Sequence, residues 1–99
     1  MSGSRLHRFD MALTFEELRR LAPHLVEGGA IDFGDRSVTG SWPEHQGRWT
    51  IALGPERERV IALFRFPVVE ATLRLDGFDD AEEARFLARF HRVFQKGGG

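Results

Sequence analysis

The chain has 99 residues, enough for one modest hydrophobic core and therefore one domain. Its formal net charge is −1, with 14 Lys and Arg against 15 Asp and Glu, so overall charge drives no indiscriminate affinity for nucleic acid or membrane. Cysteine is absent, which excludes disulfides, thiolate nucleophiles, iron–sulfur clusters and zinc ribbons.

The longest apolar run, residues 60–64, is far too short to cross a bilayer. The opening MSGSRLHRFD lacks the apolar stretch of a signal peptide, so a cytoplasmic location is expected. Thirteen Arg stand beside one Lys, and nine Phe beside no Tyr. This bias is expected of a GC-rich bacterial genome, so the arginines are not individually read as phosphate contacts. Residues 1–12 are expected to form an N-terminal arm, partly disordered; residues 13–96 a single α+β domain; and residues 97–99 a glycine tail that terminates a helix.

Taken in chain order, the first clear element is a helix opening at Thr14-Phe15-Glu16-Glu17, a capping box in which Thr14 and Glu17 each satisfy the other's backbone N–H. Leu13 and Leu18 occupy the staple positions, and Phe15, Leu18, Leu21, Ala22 and Leu25 make one apolar stripe. Pro23 removes a backbone donor and predicts a break near residues 21–23. From residue 30 the period changes to two. Ile31 and Phe33 precede a turn at Gly34-Asp35-Arg36; Val38, Gly40 and Trp42 share one face; Trp49, Ile51 and Leu53 follow on the next strand. Gly54-Pro55-Glu56 marks a further turn. Residues 60–66 read as one strand apolar on both faces, which Pro67 ends or distorts. Val69, Ala71, Leu73 and Leu75 then alternate with polar residues.

The last element is a helix with an acidic start at Asp79-Asp80-Ala81-Glu82-Glu83, a basic end, and a buried face of Phe86, Leu87, Phe90, Val93 and Phe94. The expected fold is an α+β domain: an antiparallel meander of four or five strands with the N-terminal and C-terminal helices packed on one face.

Three surfaces are candidate sites. The helices cover one sheet face only, so Ile61, Leu63 and Val68, rimmed by Arg65 and Arg74, are expected to form an apolar interaction face on the other. Arg85, Arg89, Arg92 and Lys96 recur at helical spacing and project as one basic stripe, a candidate anion or nucleic-acid surface. Trp42, His45 and Trp49 surround the SWPEHQGRW turn and could line a small-molecule pocket, although the alternation turns both indoles toward the core. The histidines carry no metal-ligand spacing, the acidic cluster at 76–83 fails the Ca²⁺-loop pattern, and no phosphate-binding or nucleophile-elbow motif occurs. No metal, cofactor or catalytic residue is therefore assigned. The leading expectation is a non-enzymatic interaction or dimerisation module that binds itself or a protein partner. Nucleic-acid or anion binding is the first alternative, and small-molecule binding the second.

Overall fold

A computed structural model describes residues 3–26, 30–42 and 47–95. In chain order the elements are β1 (Ser4–Met11), α1 (Phe15–Leu21), a 3₁₀ turn (Ala22–His24), β2 (Ile31–Phe33), β3 (Ser37–Trp42), β4 (Gly47–Leu53), β5 (Arg57–Ile61), β6 (Phe64–Asp76) and α2 (Asp80–Gln95). The chain is a small α+β domain with an antiparallel sheet and two α-helices.

The sheet has six strands, not four or five. One of the additional strands is β1, in the segment expected to be a partly disordered arm. It pairs antiparallel with β6 along its whole length, from Ser4↔Asp76 to Met11↔Val69. Its residues alternate between exposed and half-buried, and Phe9 and Met11 pack on the core. Arg, His and Asp dilute the strand signal here, because an edge strand tolerates charge. The strand order is β1-β6-β4-β3-β2, with β5 on the outer half of β6.

Local chemistry forms the helices as read. Thr14 accepts from the Glu17 N–H at 3.1 Å, while the Glu17 carboxylate accepts from the Thr14 N–H at 3.0 Å. Leu13 and Leu18 are both buried beside this cap. The helix stops at Leu21, and Pro23 sits inside the following 3₁₀ turn. The second helix carries a reciprocal cap of the same kind: Asp79 accepts from the Glu82 N–H, and Glu82 from the Asp79 N–H, both at 2.8 Å.

One core fills the space between sheet and helices. Val38, Trp42, Trp49, Ile51, Leu53, Val69, Ala71, Leu73 and Leu75 meet Leu18, Leu25, Phe86 and Phe90. Both helices therefore cover the same sheet face.

Two sequence expectations about the middle of the chain do not hold. Gly54-Pro55-Glu56 is not a chain reversal. Strand β4 pairs with β6 up to Leu53↔Ala71, and β5 resumes on the same side of β6 at Arg57↔Val68. Three residues thus face two, which is a bulge. The reversal lies instead at Ala62-Leu63, inside the run read as a single strand. Those two residues carry no turn signature, since neither is Gly, Asn, Asp or Pro. Ala62 takes φ 55°, the left-handed region. Pro67 neither ends nor divides the strand; β6 runs through it for 13 residues.

Candidate functional site

Strand β6 is longer than its neighbours need, and this creates the outstanding surface feature. Pairing with β1 ends at Val69 and pairing with β4 at Ala71. Beyond those points residues 57–68 form a two-stranded ribbon in which, among the described strands, β5 and the start of β6 pair only with each other. Five residues of strand carry it about 17 Å outward. The molecule's longest dimension is 47 Å, against 23 and 22 Å across.

The end of this ribbon is apolar and bare. Val60 is 56% exposed, Ile61 55%, Phe64 73% and Leu63, at the apex, 96%. A two-stranded ribbon has no third layer to cover them. Pairing places Ile61 beside Phe64, and Arg59 beside Phe66, on one face; Val60 beside Arg65, and Glu58 beside Pro67, lie on the other. Charged groups gather nearer the base. Arg57 reaches Asp10 at 3.3 Å, and Arg65 reaches Glu58 at 3.6 Å. Both pairs are well exposed and contribute little to stability. Glu56, Arg57, Glu58, Arg65, Phe66 and Pro67 line a shallow, open depression there.

The predicted interaction residues fall in three places. Ile61, Leu63 and Arg65 sit on the ribbon; Val68 is buried at its base; Arg74 lies on the body of the sheet, where it bonds Asp76 and Ser4. That body face is polar where an apolar patch was expected. It carries Arg8, Ser37, Thr39, Ser41, Arg48, Thr50, Glu70, Thr72 and Arg74, and Leu6 is its one large exposed apolar residue among those described. The apolar exposure moved because the strand assigned to residues 60–66 is really a turn flanked by two strands.

The basic stripe is partly structural. Arg89 is half-buried and donates to the Leu25 carbonyl at 3.4 Å, tying α2 to the end of the 3₁₀ turn. Arg85 and Arg92 are exposed, and Lys96 lies outside the described residues.

Both tryptophans are core residues. They share the helix-facing side of β3 and β4 but do not oppose each other: Trp42 pairs with Gly47 and Trp49 with Gly40. The Trp49 indole lies across Gly40, whose missing side chain leaves the room for it. Phe86 stands 5.7 Å from each indole, and Phe78 lies 5.6 Å from Trp42, so phenyl rings fill the space beside them. Both indole N–H groups are buried without a hydrogen-bond partner among the described residues. His45 lies outside the described residues.

Sequence reasoning missed a cluster joining β1 to α2. Arg5 reaches Asp80 at 2.7 Å and Glu83 at 2.8 Å, and His7 Nε2 lies 2.7 Å from Glu83. The bond to His7 first, and that from Arg5 second, hold the Glu83 carboxyl below its ordinary value. No spacing rule could reveal this, since the partners lie 75 to 78 positions apart. Among the described residues no group of three or more His, Asp or Glu could hold a metal ion, and no helix is long and apolar enough to cross a membrane.

No protein-family model matches the chain, and no curated protein matches its sequence.

Proposed function

We propose that this protein is an interaction module whose binding element is the β5–β6 ribbon. One observation carries the reading: Val60, Ile61, Leu63 and Phe64 are grouped at the end of a projecting hairpin where nothing in the fold covers them. An exposed apolar cluster of about 300–600 Å² is the largest patch on a typical monomer and is often functional. Single exposed leucines are ordinary; a cluster at an apex is not. The body is fully cored without these side chains, so folding does not explain them.

The test compares the wild-type chain with a Leu63→Ser/Phe64→Ser double variant. Both are measured for self-association by sedimentation and for capture of proteins from a lysate of the native cell. The wild type is expected to associate, with itself or with another protein, and the double variant to lose that association at least about tenfold. Equal behaviour of the two chains in both assays would refute the reading.

A further inference from the structure

Resting on that reading, we infer that the ribbon's partner is a second copy of this chain, joined through the outer edge of β5. The first argument comes from the two edges of the ribbon. Ile61 and Phe64 flank the two-residue turn and so exchange hydrogen bonds. Alternation then directs the backbone N–H and C=O of Glu58 and Val60 away from β6, and those of Arg65 and Pro67 away from β5. The Gly54 N–H, bonded to the Glu70 carbonyl at 2.9 Å, confirms that even-numbered residues of β6 point toward the β4–β5 side. Pro67 has no N–H, so the β6 edge is a donor short and resists a further strand. The β5 edge has no such block and is unpaired among the described strands.

The second argument is one of register. Two copies of β5 related by a two-fold axis run antiparallel, and every residue i faces one of matching parity. Centring on Arg59 sets two guanidinium groups directly opposite each other, and centring on Glu58 does the same with two carboxylates. Both cost stability. Centring on Val60 places Val60 against its own copy, Arg59 against Ile61, and Glu58 against Ala62. Of these three registers, only the last sets no like charges directly opposite.

Charge does not oppose the pairing. A chain of net charge −1 does not repel its copy. Outside the ribbon the exposed large apolar residues among those described are Leu6 and Phe33, each standing apart from the ribbon. The self-complementary arrangement is the closed one. It turns a marginal two-stranded ribbon, with Ala62 held at φ 55°, into a four-stranded sheet.

The chain lacks cysteine, so one introduced thiol reports on one contact. Mild oxidation of Val60→Cys should give a disulfide-linked dimer in high yield, while Ala52→Cys, on the body of the sheet, should not. Sedimentation of the wild type should show a dimer at high micromolar concentration. Val60→Lys should weaken that dimer at least about tenfold, with the tryptophan fluorescence of the folded body unchanged. A wild-type chain that stays monomeric overturns the inference. So does a dimer that persists in Val60→Lys with no Val60→Cys cross-link. If the wild type is monomeric but captures another protein that Leu63→Ser/Phe64→Ser does not, the ribbon remains the binding element and the second copy is excluded.

Discussion

Gly40 and Trp49 are the tightest fit in the core. The indole lies so close over Gly40 that an added Cβ would sit among its ring atoms. Both residues are buried and Trp49 is fully enclosed, leaving no direction in which the ring can yield cheaply. Gly40→Ala should therefore destabilise the protein by about 1–3 kcal/mol, read from urea unfolding followed by tryptophan emission. Glu83 sets a second expectation at this scale. Its carboxyl is held below the ordinary value of 4.5, chiefly by His7 and then by Arg5. A depressed carboxyl stabilises the fold fully above the unfolded value and loses that contribution as pH falls through the folded one. Asp76 is lowered in the same sense, first by the hydroxyl of Ser4 and then by Arg74. The thermal midpoint should consequently fall on acidification below about pH 4.5. Glu83→Gln should lower stability near neutrality and make the acid fall shallower. An acid limb identical in variant and wild type would show that the cluster does not act on stability.

Each helix is bounded by a reciprocal cap, and these caps are local enough to be read from four residues. Thr14→Ala should cost about 1 kcal/mol, measurable as a shift in the urea midpoint at constant slope. The ribbon behaves differently because its turn is not made of turn residues. A non-glycine residue in the left-handed region costs about 1–2 kcal/mol, and among the described residues only Ala62 bears that cost. Ala62→Gly should relieve most of it locally. Amide exchange at Ile61 and Phe64, whose N–H groups close the turn, should slow several-fold, while exchange in the core strands stays unchanged. A faster exchange at both amides would mean that the turn is not strained.

For the molecule as a whole, the division between a cored body and a bare ribbon predicts a separation of stability from association. Leu63 and Phe64 contribute no core contacts. Replacing both with serine should alter the unfolding free energy by less than about 0.5 kcal/mol, measured at concentrations where the chain is monomeric. The same change should abolish association. A large loss of monomer stability would instead show the apex to be part of the fold.

The residues alone determined whatever depends on neighbours within a few positions: the capping box at Thr14, the acidic start of the helix at Asp79, the break at Pro23, the turn at Gly34-Asp35-Arg36, and the inward alternation of Val69 to Leu75. Periodicity by itself also turns both tryptophans toward the core. Three features required the tertiary structure. Strand β1 has a mixed, charged pattern that becomes intelligible only beside β6, where its odd-numbered residues face the helices. The Arg5, His7, Asp80 and Glu83 cluster joins opposite ends of the chain, and pairing at that distance leaves no local signal. The ribbon was read as a single two-faced strand because Ala62-Leu63 has no turn chemistry, and apolar residues on both faces usually mean burial in a sheet. The length of β6, exceeding that of every strand beside it, decided otherwise. Hydrophobicity states what a side chain would gain from burial, but only the extent of the neighbouring strands determines whether anything is there to bury it.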